Sequence, residues 1–203
     1  MSVSEEREAT PAVQPAAPSA PVADPAPLGL AAFALTTFLL SAANARWTNG
    51  NSAGTAFLGY ALAYGGGAQL LAGMWEFRNK NVFGATAFSS YGAFWIGLFF
   101  WIKNVPAATG HDLGWILLSF AIFNTYMLIL STQINMAVFA VFLTLELTES
   151  LLVIGNFTSS PGWTQFGGYL GIITAAAAWY ASAAGVANGL NGKLRIPVGK
   201  PLM

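Results

Sequence analysis

Six apolar stretches, each as long as a membrane-spanning helix, constrain the fold of this chain more than any other feature of its sequence. A helix needs about 20 mostly apolar residues to cross the hydrocarbon core of a bilayer. The stretches lie at about 28–45, 55–75, 84–103, 113–131, 134–154 and 165–189, with turn-like segments between them. Apolar runs such as residues 116–123 do not alternate with polar residues as strands of a membrane β-barrel do. The sequence therefore predicts an all-α integral membrane protein with six transmembrane helices.

The composition and the charge distribution agree with a membrane location. Charged residues make up 8% of the 203 residues, whereas a soluble domain carries about 25%. We divide the chain into a disordered, Pro/Ala-rich cytoplasmic tail at 1–23, a six-helix transmembrane domain at 24–190 and a cytoplasmic C-terminal tail at 191–203. Six of the eight Lys and Arg residues lie on the side of the predicted helices that holds both ends of the chain. The positive-inside rule then predicts a multi-pass protein of the plasma (inner) membrane with both termini in the cytoplasm.

Several classes of function are excluded by what the sequence lacks. It has no cysteine, one histidine (His111) and a formal net charge of zero. These features exclude disulfides, thiol catalysis and Cys-rich metal sites, and they argue against nucleic acid as a partner. We expect no metal and no cofactor, and the absence of a Ser/His or metal-ligand constellation predicts that the protein is not an enzyme.

Three motifs in the first half of the chain match the pattern of one known family. The first is DPAPLGL at 24–30, before the first predicted helix. The second combines YGG at 64–66, Gln69 and AGMWEF at 72–77, and the third combines FGATAF at 83–88, SYG at 90–92 and FW at 94–95. Together they resemble the acetate uptake transporter family, also called the GPR/FUN/YaaH family, and the resemblance extends over about residues 24–190.

The resemblance implies a six-helix protomer that assembles as a homo-hexamer, with a substrate path through each protomer. It implies passage of acetate and, in some members, of succinate or other short carboxylates. Whether such a protein is a channel or a proton-coupled carrier stays open. The narrow point of the family's path is formed by a Phe, a Tyr and a Leu, which correspond by motif position to Phe33, Tyr91 and Leu145.

The motif residues themselves carry one departure from the family pattern. The positions of this chain that correspond to the family motif are Asp24, Pro25, Pro27, Gly29 and Glu76, and the departure is at Asp24. The family usually has Asn where this chain has Asp24, and an ionised Asp cannot donate a hydrogen bond to an anion. We expect Asp24 to cap the first helix by accepting backbone N–H bonds. Glu76 lies at the end of the second predicted helix beside Arg78, where a local ion pair is expected.

Polar residues within the apolar stretches are candidates to line the path. Phe33, Thr37, Ser41 and Asn44 lie on one face of the first helix. Such a stripe faces either a water-filled path or neighbouring helices to which it hydrogen-bonds. Further candidates on the second and third helices are Tyr64, Gln69, Thr86 and Ser90. Hydroxyls and amides replace part of the hydration shell of a carboxylate without the tight binding of a fixed cation, which suits conduction.

Two glutamates in the fifth predicted helix are unusual in an apolar environment. Glu146 and Glu149 lie three residues apart and therefore on one helical face. A carboxylate at the centre of a bilayer costs at least about 2.5 kcal/mol, so such residues face the interior of the bundle. They are either proton-coupling groups or structural hydrogen-bond partners.

The last predicted helix carries a stripe of small residues, Ala177, Ala181, Gly185 and Gly189, each four residues apart. This spacing allows close helix packing, either within the bundle or at an oligomer interface.

The family resemblance and the predicted helices thus favour a protein that crosses the lipid bilayer as a channel or permease. Its expected substrates are acetate and related short-chain carboxylates such as succinate. Two alternatives remain. One is a pore for neutral solutes such as urea, short amides or ammonia, and the other is a membrane sensor without transport.

Overall fold

The computed structural model describes residues 22–48, 57–105, 109–190 and 192–203. Within these ranges every regular element is helical, in agreement with the predicted all-α class. Helix α1 spans Ala26–Asn44, α3 spans Val82–Asn104, α4 spans Gly110–Ser131, α5 spans Met136–Phe157 and α6 spans Pro161–Gly189. Helix α2 continues from residues 57–60 through a π-helical segment, Ala61–Ala68, into an α-helical segment, Gln69–Arg78. The tail predicted at 1–23 lies, except for its last two residues, outside the described ranges.

Five of these helices (α1, α3, α4, α5 and α6) are long and apolar enough to cross a membrane. Helix α2 is divided by its π-helical segment, which contains three consecutive glycines. A Cβ at Gly65 would lie 2.8 Å from Cβ of Thr36 on α1, and a Cβ at Gly66 would lie 2.6 Å from Ile96 on α3. The glycines therefore allow α2 to pass very close to both neighbours, which explains why a poor helix former is concentrated there.

The six helices surround a common interior. Helix α1 packs against α2 and α6, α2 packs against α3, and α5 packs against α4 and α6. Helices α3 and α4 meet through aromatic rings, because Tyr91 contacts Phe120 and Phe123. Helices α1, α3 and α5 begin at the same end of the bundle. We call this end, where residues 22–25 and 192–203 also lie, the tail face.

The small residues of α6 pack inside the bundle. Ala181 is buried, and a Cβ at Gly185 would lie 2.7 Å from the ring of Pro27 on α1. A Cβ at Gly168 would contact the backbone of Asn44 and Ala45, at the other end of α1. Ala181 and Gly185 of the small-residue stripe therefore pack inside the bundle, whereas Gly189 is exposed and a Cβ there would meet no atom within 4 Å.

Candidate functional site

A cavity of about 310 Å³ opens at the tail face. Its wall is formed by the first halves of α1, α3 and α5, the ends of α2 and α6, and the C-terminal segment. Most lining side chains are apolar. On each of the three helices that begin at the tail face, the lining residue farthest along the helix is one of Phe33, Tyr91 and Leu145.

These three residues, identified above from the family motif, lie together in one buried apolar cluster. The rings of Phe33 and Tyr91 meet edge to face, with centroids 5.7 Å apart. Each residue lies between two and three turns into its helix, which corresponds to a depth of about 10–14 Å at 1.5 Å per residue. The cavity therefore ends where the side chains of three different helices converge.

The position of Tyr91 is fixed by a chain of hydrogen bonds that reaches α5 through α4. Its hydroxyl donates to Oδ1 of Asn124, 2.9 Å away. Nδ2 of Asn124 donates to the backbone oxygen of Phe142 (3.1 Å) and to Oε2 of Glu146 (2.7 Å). Thr125 Oγ1 donates to the other carboxylate oxygen of Glu146 at 2.9 Å. Both oxygens of Glu146 thus have donors, and Glu146 orients the amide that holds Tyr91.

Asn124 and Thr125 were not identified from the sequence. The signal that could have indicated them is an Asn in the middle of an otherwise apolar helix, since an amide in that position needs a partner on another helix.

Glu149, one turn beyond Leu145, has a different environment from Glu146. It is 6% exposed, and its Oε2 has no hydrogen-bond partner. The neighbouring Thr148 is engaged elsewhere, because its hydroxyl lies 3.1 Å from that of Thr174 on α6. Of the two glutamates, Glu149 is therefore the one with a carboxyl oxygen free for a proton or a solute.

Glu76 and Gln69 contribute to the wall of the cavity from α2. Each is 1% exposed, and Oε1 of each lacks a hydrogen-bond partner. Gly84 on α3 makes room for Glu76, since a Cβ there would lie 2.6 Å from Glu76 Oε1. Arg78 is exposed instead. Glu76 therefore does not form the local ion pair that was expected with Arg78. Its side chain lies on the inner face of α2, where it is buried and faces the cavity.

The electrostatic character of the cavity is acidic. Asp24 and Glu76 are its only lining residues with an ionisable carboxyl group, and no Lys, Arg or His is found among the described residues of the wall. Asp24 also accepts a hydrogen bond from the backbone N–H of Ala26 at 2.9 Å, as expected for a residue at the start of α1. The wall thus combines two carboxyl groups with the side-chain amides of Gln69, Asn81, Asn135 and Asn188, and its described residues include no cation that would hold an anion.

The other motif and path candidates lie in several environments. Pro27 lines the cavity, while Pro25 and Gly29 are buried at the start of α1, with Gly29 against the ring of Phe88. Thr37 is buried with an unpartnered hydroxyl one turn beyond Phe33. Ser41 is buried in the contact between α1 and α6, against Gly171.

Of the seven polar path candidates, Gln69 lines the cavity and the other six do not. Besides Thr37 and Ser41, Asn44 borders an open groove at the opposite end of the bundle, and Tyr64, Thr86 and Ser90 are half-buried. A role for these six residues in a path stays a prediction.

Comparisons of the sequence and of the fold with known proteins point to the same family. Residues 6–200 match the GPR1/FUN34/yaaH family. Ammonia transport outward protein 2 of Saccharomyces cerevisiae is 40% identical over 190 residues, which cover 89% of this chain and 67% of that protein. The chain spans about two thirds of the length of the fungal relatives it matches.

Bacterial proteins are matched over nearly their whole length. The succinate-acetate/proton symporter SatP of Escherichia coli K12 is 34% identical over 185 residues, which cover 88% of this chain and 96% of that protein. The solved structure of the bacterial acetate channel SatP, 33% identical, superposes with a TM-score of 0.82 and covers 88% of this chain and 100% of that one. By sequence and by fold, the chain belongs to the GPR1/FUN34/yaaH family.

Proposed function

We propose that the protein is a transmembrane channel or permease for acetate and related short-chain carboxylates, including succinate, and not an enzyme. The observation that carries this proposal is the cavity whose deepest wall residues on α1, α3 and α5 are Phe33, Tyr91 and Leu145. Relatives of the chain are named as a succinate-acetate/proton symporter and as an acetate channel. The path runs from the cavity between these three side chains, through each protomer.

An apolar constriction of this kind selects by hydration and size. A hydrated inorganic ion must lose its water to pass, and apolar side chains offer nothing in exchange. A short carboxylic acid has an apolar part that fits against Phe33 and Leu145. We assign the constriction to these residues and the hydrogen-bonded Tyr91.

The charge of the cavity bears on the form in which the acid passes. A carboxylate anion only accepts hydrogen bonds, while Glu76 Oε1 and Gln69 Oε1 in the wall lack donors. An anion meets amide donors in the wall, such as those of Gln69 and Asn81, but no cation, whereas an acid that brings a proton can also donate to the unpaired oxygens. We propose that a proton accompanies the acid and that Glu149, with its free carboxyl oxygen, is the coupling group beyond the constriction.

The test is uptake of radiolabelled acetate and succinate into proteoliposomes that contain the full chain, with and without an imposed pH gradient. Leu145→Ala should raise the succinate-to-acetate ratio, because it widens the constriction. Leu143→Ala, a change at an exposed position of the same helix, is the matched control and should leave the ratio unchanged. An unaltered ratio in Leu145→Ala would show that the constriction has been assigned to the wrong residues. The absence of protein-dependent uptake would overturn the proposed function.

A second candidate function is supported by the acidic wall. Two carboxyl groups without a basic residue suit ammonium or ammonia better than an anion, and one relative is named an ammonia transport outward protein. Competition of the flux by ammonium or urea, with no effect of acetate, would select this neutral-solute or ammonium pore. Absence of any solute flux would favour the membrane sensor.

We further propose that the protein is a homo-hexamer in the plasma (inner) membrane, with both termini in the cytoplasm. The family membership and the distribution of Lys and Arg support this arrangement. Native mass spectrometry from nanodiscs should give a complex of six protomers, and a monomer as the dominant species would contradict it.

A further inference from the structure

The chain does not leave the bundle after α6. Residues 192–203 fold back across the tail face as an extended segment, which we call the C-terminal strap. The sequence predicted only a cytoplasmic tail for this region. The strap is joined by hydrogen bonds to α6, to α5 and to the connection between α4 and α5.

The first anchor is on α6. The side chain of Asn188 donates to the backbone oxygen of Ile196 (2.9 Å) and accepts from its N–H (3.1 Å). The hydroxyl of Tyr180 donates to the backbone oxygen of Pro197, and the guanidinium of Arg195 donates to the backbone oxygen of Asn188. These bonds hold the middle of the strap along the last turns of α6.

The second anchor is at the beginning of α5. The first N–H groups of a helix have no partner inside it. In α5, the side chain of Asn135 accepts from Val138 N–H at 2.9 Å, and the backbone oxygen of Val198 accepts from Ala137 N–H at 2.9 Å. The strap thus contributes one of the hydrogen bonds that cap α5. Farther along, Leu202 N–H donates to the backbone oxygen of Thr132 at 2.8 Å.

At the second anchor, the strap also contributes a side chain to the cavity. Val198 lines the wall and packs against the buried cluster that contains Phe33, Tyr91 and Leu145. The next residue, Gly199, has a φ of +74°, and a Cβ there would lie 2.5 Å from Cβ of Met136. Only glycine fits this backbone conformation and this close approach without strain, so Gly199 fixes the register that points Val198 inward.

We propose that Val198 is a specificity-determining residue of the path, held by the C-terminal strap at the mouth of the cavity. The strap forms the last part of the wall where the solute enters at the tail face. The apolar side chain of Val198 narrows this entrance and disfavours acids with a second carboxylate. The proposal rests on the proposed function, since it concerns the entrance of the same path.

A labelling experiment tests the strap without any transport. Because the sequence has no cysteine, single cysteines report on one position each. In the purified full chain, Val198→Cys should react with a maleimide at least about fivefold more slowly than Lys200→Cys, since residue 200 is exposed and residue 198 is half-buried. Adding Gly199→Ala to Val198→Cys should remove most of this protection. Equal rates for the two single cysteines would overturn the docked strap.

A transport experiment tests the selectivity. We expect Val198→Ala to raise the succinate-to-acetate uptake ratio about tenfold, and Val198→Phe to lower it, because a methylene-sized change in a fitted apolar site changes selectivity by about tenfold or more. Val186→Phe, at an exposed position of α6 outside the wall, is the control and should leave the ratio unchanged. Ratios that do not move in either Val198 variant, with acetate uptake intact, would overturn the proposal.

The two failures are distinguishable. Absence of uptake by the unaltered chain would overturn the proposed function, and the selectivity role of Val198 with it. The labelling rates would in that case still decide whether the strap covers the mouth of the cavity.

Discussion

Two glutamates on one face of α5 differ in their hydrogen bonds, and this difference separates their roles. Both oxygens of Glu146 accept hydrogen bonds from α4, so that Glu146 positions Tyr91 through Asn124. Glu149 is buried with an unpartnered oxygen. Burial of an unpaired polar atom is costly, so its retention points to a function. On the proposed path, the first glutamate is therefore a positioning residue for the constriction, and the second is the candidate for proton transfer.

Substitution by glutamine separates these roles. Glu149→Gln should abolish the extra acetate accumulation that an imposed pH gradient drives, because the amide cannot take up a proton. Glu146→Gln should keep this response, because glutamine still accepts from Asn124 and can donate to Thr125. The measurement is acetate accumulation in proteoliposomes with and without the gradient. Loss of the response in Glu146→Gln alone would reverse the assignment.

The hydrogen-bonded Asn124 should be a large contributor to stability. Asn124→Leu conserves approximate volume but leaves the Tyr91 hydroxyl and an oxygen of Glu146 unpaired, which should cost about 1–3 kcal/mol. Ser119→Ala, on the same helix, removes an exposed hydroxyl that bonds only to its own helix, and its effect should be small. Thermal unfolding in detergent measures both. Adding Tyr91→Phe to Asn124→Leu should recover part of the loss, and a fully additive loss would contradict the chain of bonds.

At the scale of the element, the unusual helix is α2. Its π-helical segment coincides with the glycines that contact α1 and α3. The contacts of Gly65 with Thr36 and of Gly66 with Ile96 show close packing.

A single methyl group tests this packing. Gly65→Ala should destabilise the protein by about 1–3 kcal/mol, because the added Cβ overlaps Thr36 and the packed helices yield little. Gly97→Ala in the middle of α3, where a Cβ meets no atom within 4 Å, should be neutral or stabilising by up to about 1 kcal/mol from helix propensity. The changes in the free energy of unfolding that the two substitutions cause, relative to the unaltered protein, should therefore differ in sign or clearly in size. Equal effects would mean that the segment is not tightly packed.

The sequence allowed the elements to be predicted better than their irregularities. All six apolar stretches are confirmed as helical within the described residues, with ends shifted by a few residues, because length and apolarity are local properties. The π-helical segment was not predictable, since it depends on Thr36 and Ile96 of other helices. The docking of the strap was also missed, because its partners are mainly backbone groups and single side chains of α6.

The same limit applies to the candidate site. The resemblance to the family predicted that Phe33, Tyr91 and Leu145 lie close together, and they share one cavity wall, while their role as a constriction stays a prediction. The partners of Tyr91 and Glu146 lie 21 to 33 residues away on α4, and pattern alone does not specify which polar residues of two helices meet. Glu76 was misassigned because a neighbour in sequence, Arg78, suggested a simpler partner than the cavity.

At the scale of the whole molecule, polarity is distributed as a bilayer requires. Large apolar side chains such as Leu71, Ile122 and Ile173 are more than half exposed on the outside of the bundle. Buried polar groups such as Gln69, Asn124 and Glu149 lie inside it. This is the reverse of a soluble protein, and it matches the low charge content of the sequence.

The orientation of the molecule is testable with cysteines at the two faces. In intact cells, a membrane-impermeant maleimide should label Lys103→Cys, near the face opposite the tail face. It should not label Lys200→Cys until the membrane is permeabilised. The expected result follows from the excess of Lys and Arg at the tail face. Labelling of Lys200→Cys alone in intact cells would invert the proposed topology.

The contact between Phe33 and Tyr91 has a consequence for the time that one passage takes. The Tyr91 ring is held by a hydrogen bond to a buried amide, whereas the Phe33 ring has only apolar contacts. On the proposed path, a solute that passes between them meets one ring that is held in place and one that can change its rotamer. Rotamer changes are fast, while collective helix motions take microseconds to milliseconds. We therefore expect the Phe33 side chain, and not the six-helix frame, to open the constriction for each passage.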